Sequence, residues 1–231
     1  FKQSYSLIFF ISLYIISIHT WPIIMSTSNA MRQGLSMSFV FLALIASSRK
    51  NFYWMLLFSL PAIFTHKTGL LLILIVFFAT IFNNLLSNFS LKTRPIISFI
   101  VGIFSLLFSY YGLSIVGFVL AGDEGSRIIA GDFRFAFVFI SFVYISLSFF
   151  YRDILSNSFN LTLYFFSFIS LALLLNNLNW QYERLGMMML IPYILSFGIL
   201  LNNFSYKIYL IVIFILLVSL TIFTGMYASL K

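Results

Sequence analysis

The chain has 231 residues, of which 62% are hydrophobic and 8% charged, with a formal net charge of +8. A soluble domain uses roughly 25% charged residues, so this sequence lacks the polar surface to face water and a bilayer is its expected solvent. There is no cysteine, which excludes disulfides, thiolate metal sites and cysteine nucleophiles. The basic excess reads as anchoring of span ends, and no nucleic-acid partner is expected.

A span needs about 20 mostly apolar residues, and about nine apolar segments appear. They centre on Tyr5–Ile18, Met31–Ser47, Phe52–Thr65, Gly69–Leu86, Ile96–Gly112, Phe133–Tyr151, Phe159–Leu175, Leu185–Leu201 and Ile208–Tyr227. Phe52–Thr65 is short enough to dip in without crossing. No alternating strand pattern with regular turns is present, and backbone groups in lipid must be satisfied internally. The expectation is an all-α, polytopic transmembrane helix bundle, a single integral membrane domain over residues 1–231. One long connection, about Leu113 to Asp132, is punctuated by Gly117, Gly122, Gly125 and Gly131.

Alternating spans divide the ionisable residues between two sides. One side holds Lys2, Arg49, Lys50, Lys92, Arg94, Arg152 and Lys207, with one acid, Asp153. The other holds Arg32, Lys67, Arg127, Arg134, Arg184 and Lys231, together with Asp123, Glu124, Asp132, Glu183, His19 and His66. The basic counts are too even to fix orientation by the positive-inside rule alone. The first side has plain basic turns such as SSRKN, which suit the cytoplasm. The acid- and histidine-rich side is read as extracytoplasmic, with the polar site at that lip.

Arg32 and Gln33 open the second segment, and Ser36 lies one turn on along the same face. An isolated arginine there would be a snorkelling anchor. His66 alone would be a hydrogen-bonded structural histidine, Asp123–Glu124 a solvated loop tip, and Met187–Met189 helix packing. Trp21, Trp54 and Trp180 read as interfacial anchors. What argues against separate anchors is that Arg32, His66, Lys67, Arg127, Arg134, Glu183 and Arg184 gather on one side. Clustered arginines match phosphate oxygens bidentately and stay charged. Such cations stabilise a departing diphosphate without a metal, so neither metal nor cofactor is expected. His66, Glu183 or a loop acid such as Asp132 supplies a base. HExxH, GxSxG, a P-loop and DxD are all absent from the sequence, which leaves soluble-type hydrolase, kinase and nucleotide-sugar chemistry without support.

The stretch NAMRQGLSMSFVFLAL, the basic turn in SRKNFYWMLLFSLPAIF, and THKTGLLLI resemble the central signature of the EpsG/Wzy-type polysaccharide polymerases. YERLGMMMLIPYIL is similar to the later arginine-bearing helix start of that family. The resemblance implies a multi-pass enzyme of the bacterial plasma (inner) membrane that joins oligosaccharide repeat units carried on undecaprenyl diphosphate. The product would be O-antigen, capsule or exopolysaccharide. Arg32, Gln33 and Gly34 match the first motif, His66 the second and Arg184 the third. On this reading His66, Glu183 and Asp132 are the catalytic candidates. Arg32, Gln33, Arg184, Arg127, Arg134 and Lys67 are the candidates for binding diphosphate or sugar. The partners implied are undecaprenyl-diphosphate-linked glycans, the lipid bilayer, and a chain-length regulator or another polysaccharide-assembly membrane protein. Two departures from the family pattern stand out. One apolar segment precedes the Arg-Gln-Gly helix where members have several, so the expectation is either that N-terminal spans are missing or that this is a shortened relative. His66 is followed by Lys67 where a small polar or aromatic residue is common. The competing readings are an exporter or flippase of the same lipid-linked sugars and a non-catalytic subunit of an envelope complex.

Overall fold

Backbone groups that cannot reach water must be paired within their own segment, which favours helix throughout so apolar a chain. A computed structural model describes residues 31–120, 134–175 and 179–203, and among these there are seven α-helices, one 3-10 turn and no strand. The helices are α1 (Met31–Ser48), α2 (Phe52–Thr65), α3 (Lys67–Leu86), α4 (Arg94–Leu120), α5 (Arg134–Phe150), α6 (Ser158–Leu175) and α7 (Asn179–Asn203), with the 3-10 turn at Arg152–Ser156. They coincide with seven of the apolar segments; Tyr5–Ile18 and Ile208–Tyr227 lie outside the described residues.

Two of these helices contain stretches long and apolar enough to cross a membrane, Thr68–Leu86 and Arg94–Gly112, against the nine spans expected. Four others, α2, α5, α6 and α7, have shorter apolar runs. The 14 residues of α2 rise only about 21 Å, less than the hydrocarbon thickness. A second correction concerns the long connection: α4 runs on to Leu120, so Leu113–Leu120 is helix and not loop. The run LSIVGFVL is mostly apolar, and the helix continues through Gly112 and Gly117.

The bundle forms around α6, which packs against α1, α3, α4, α5 and α7. Every residue from Leu161 to Phe168 is buried, as expected of a helix surrounded by others. Its aromatic rings are edge-on partners: Phe165 meets Phe78 and Phe82 with centroids 5.0 and 5.2 Å apart. Gly102 of α4 lets the Phe168 ring come so close that a Cβ there would stand 2.4 Å from it.

Hydroxyl side chains are buried within the apolar core, and large apolar side chains also cover the outside. Among the described residues, the buried polar side chains are all serine or threonine. Several of them tie helix to helix: Ser141 to Ser170 at 2.8 Å, Ser167 to Tyr193 at 2.6 Å, and Ser196 to Tyr144 at 2.7 Å. Ser196 in turn donates to Asn160 Oδ1 at 2.9 Å. Meanwhile Leu70, Leu74, Phe78, Ile81 and Leu85 form an exposed stripe along α3. Ile96, Ile100, Phe104, Phe108 and Tyr111 form another along α4, with Phe108 80% exposed.

Candidate functional site at one end of the bundle

The site begins with a tight junction of three helix ends. Ser36, in the second turn of α1, donates through Oγ to the Ala62 carbonyl of α2 at 2.9 Å. The same carbonyl accepts the His66 N–H at 3.4 Å. Gly69, in the first turn of α3, lies against both groups: a Cβ built on it would be 2.2 Å from the Ala62 oxygen and 2.4 Å from Ser36 Oγ. Only glycine fits there, which accounts for a residue that otherwise weakens a helix.

His66 is the whole connection between α2 and α3. Its backbone is extended (φ −155°, ψ 141°), ending one helix and capping the next. Its carbonyl accepts from the Gly69 N–H at 2.9 Å. Its ring Nδ1 accepts the Thr68 N–H at 3.3 Å, satisfying a donor that the helix start leaves open. The Thr68 hydroxyl is 2.6 Å from the same nitrogen. The ring is half-buried and Thr68 is buried. In α2, Pro61 has no N–H to give, and Thr65 Oγ1 donates to its carbonyl.

Arg32 is exposed in the first turn of α1, with Gln33 and Gly34 half-buried beside it. The Ser36–Ala62–Gly69 contact therefore brings the Arg-Gln-Gly stretch and His66 to one end of the bundle. The opposite end carries the basic turn. There Asn51 N–H bonds Ala46 O and Lys50 N–H bonds Ser47 O, with Lys50 at φ 55°, a left-handed cap that glycine usually supplies. Ser47 donates to Ser158 Oγ at 2.7 Å and lies 2.7 Å from Thr80 Oγ1, so α6 begins at the Arg49–Lys50 end.

The other helix pairings carry the remaining candidates by their backbones. Ser141 meets Ser170, so Arg134, two turns before Ser141 on α5, lies toward the Arg32 end. The Tyr193–Ser167 and Ser196–Asn160 pairs make α7 antiparallel to α6. Glu183 and Arg184, in the first third of α7, are therefore also toward the Arg32 end, and α7 packs against both α1 and α3. Lys67 is the first residue of α3. The side chains of Lys67, Arg134, Glu183 and Arg184 are outside the described atoms. Arg127, Asp132 and the Asp123–Glu124 pair lie outside the described residues altogether.

Thr68 and Gly69 were not among the residues singled out from sequence. The signal for Gly69 was present: a glycine in the first turn of an apolar helix has a packing reason more often than a conformational one. The signal for Thr68 was its place two residues after a histidine at a helix start. Among the described residues no cluster of His, Asp or Glu is arranged to hold a metal ion. Compared with protein-family models, curated proteins and solved structures, the chain matches none.

Proposed function

We propose that the chain is a membrane-embedded glycosyltransferase that polymerises lipid-diphosphate-linked oligosaccharide repeat units at the outer face of the bacterial plasma membrane. The observation that carries this reading is that the backbone positions of Arg32, Gln33, His66, Lys67, Arg134, Glu183 and Arg184 all fall toward one end of the bundle, opposite the Arg49–Lys50 turn. The bilayer part of the proposal rests on the apolar outer surface of α3 and α4. A core helix of a soluble protein buries its apolar face, yet only 17% of Arg94–Gly112 is buried. Outward apolar stripes on α3 and α4, with hydroxyls inside, are what lipid as solvent favours. The nine-span, multi-pass arrangement belongs to this proposal.

In the reaction, an acceptor sugar hydroxyl attacks the anomeric carbon of a second lipid-linked chain. The new C–O bond forms as the C–O bond to the diphosphate breaks, and the electron pair leaves with undecaprenyl diphosphate. Arg32 and Arg184, with Arg127 or Arg134, take up the developing charge. The hydroxyl proton goes to His66, Glu183 or Asp132. A chain-length regulator is the protein partner that this activity calls for. The test is incubation of the purified protein in nanodiscs with lipid-linked repeat units. A ladder of longer lipid-linked chains is expected. Transfer of units across the bilayer without bond formation would replace the polymerase with an exporter.

A further inference from the structure

Two buried hydroxyls, Ser98 Oγ of α4 and Tyr164 Oη of α6, have no hydrogen-bond partner. Both residues are fully buried. A serine inside a helix often returns its proton to the carbonyl four residues back, as Ser59, Ser105 and Ser167 do toward Met55, Val101 and Leu163. Ser98 makes no such bond, and its hydroxyl is turned elsewhere. The helix α4 packs on α6 and on the 3-10 turn, so its buried face is the one toward them. Gly102, one turn after Ser98 on that face, lies against the Phe168 ring of α6. The Tyr164 ring stands edge-on to the Phe168 ring, with centroids 5.3 Å apart. Ser98 and Tyr164 therefore approach one seam from its two sides. From α5, Ser148 Oγ stands beside the Tyr164 hydroxyl but outside hydrogen-bond geometry. Its own proton goes to Ile145 O at 2.6 Å. Ile154 and Leu155 of the 3-10 turn are fully buried, and the turn packs on α4, α5 and α6 at the end where α6 begins.

An unpaired hydroxyl inside an apolar core costs more than an ordinary hydrogen bond contributes. We propose that Ser98, Tyr164 and Ser148 together hold one buried water molecule that joins α4, α5 and α6. Each orphaned hydroxyl has one proton to give, and a water oxygen accepts two. The water returns a proton to Ser148 Oγ, which has spent its own on Ile145 and can still accept. That makes three hydrogen bonds, the usual number for a buried water. An ion is disfavoured, because three neutral hydroxyls supply no charge to offset its desolvation. The site does not rest on the polymerase reading. Tyr164 is in the second turn of α6, which begins at the Arg49 end, away from the candidate functional residues.

A structure of the protein in nanodiscs, at a resolution that shows ordered water, tests the site directly. A peak within about 2.5–3.0 Å of Ser98 Oγ, Tyr164 Oη and Ser148 Oγ is expected. A direct Ser98–Tyr164 bond, Ser98 rotated onto the Arg94 carbonyl, or no peak among the three oxygens overturns the proposal. Unfolding titration of the reconstituted protein gives a second readout, with variants that each remove one oxygen and change little else. Ser98→Ala and Tyr164→Phe should each lower the folded-to-unfolded ratio roughly 2- to 10-fold. The double variant should lose less than the product of the two, because the water is already lost with the first change. An unchanged or raised ratio in both single variants would mean that the hydroxyls were unpaired. Losses that multiply would mean that the two share nothing. Either result overturns the site.

Discussion

The two ends of the α1–α3 unit are held by different chemistry. At the Arg32 end, the backbone of Gly69 is wedged against a backbone carbonyl and one hydroxyl: Ala62 O and Ser36 Oγ leave no space for one more carbon on its Cα. About 16 Å along the helices, at the Arg49 end, hydroxyls meet hydroxyls through Ser47, Thr80 and Ser158. Hydroxyl contacts are adjustable, because a lost partner can be replaced by rotation toward a backbone carbonyl. A contact limited by the absence of a side chain has no such freedom. The rigid junction is the one beside the candidate functional residues, where a small displacement of Arg32 or His66 would be felt most.

Gly69→Ala breaks that comparison most severely. The added methyl meets a backbone oxygen that cannot rotate away, so a destabilisation of about 3 kcal/mol is expected, together with loss of polymer. Denaturant titration of the reconstituted protein checks it, and wild-type stability would show that the junction yields. Next in size, Arg32→Lys and Arg184→Lys should each lower polymerisation about 10- to 100-fold, because an ammonium keeps the charge and loses the fork. Arg49→Lys at the other end should be near normal. The readout is the length ladder of surface polysaccharide in a strain lacking the native enzyme, normalised to inserted protein. Full ladders from both site variants would reduce these arginines to interfacial anchors.

Smaller effects sharpen the contrast. Lys50→Gly should stabilise by up to about 1 kcal/mol, since glycine adopts the left-handed cap without a Cβ penalty, and should leave activity alone; a destabilised Lys50→Gly protein contradicts the cap assignment. Ser36→Ala and Ser47→Ala should each cost about 0.6 kcal/mol, the average for such contacts between membrane helices. Only Ser36→Ala should shorten the polysaccharide, and equal ladders from the two would remove the functional distinction between the ends.

Helix positions could be read from the sequence because apolar runs and polar breaks alternate plainly: α2 was bounded to the residue at Phe52 and Thr65. The end of α4 was misjudged because glycines were taken as loop markers, whereas in an apolar run the backbone has no competing partner and stays helical to Leu120. The pairing of Arg32 with His66 at one end followed from counting spans. Their actual connection did not, since nothing in THKTG announces that Gly69 serves a serine and an alanine from two other helices. The His66 side-chain cap on the Thr68 N–H likewise exists only once α3 has started at Lys67.

The shared level of Ser47 and Thr80 has a consequence for bilayer thickness. From the Ser36–Gly69 junction to that level the α1–α2 hairpin is nearly used up, while α3 continues from Thr80 to Leu86, about 9 Å further. If α3 sets the hydrocarbon boundary, the Arg49–Lys50 turn stops short of it, and its two long cations must reach down past apolar surface to find headgroups. Lipid beside the hairpin is then drawn thinner than lipid beside α3 and α4. The mismatch is relieved in short-acyl membranes and grows in thick ones.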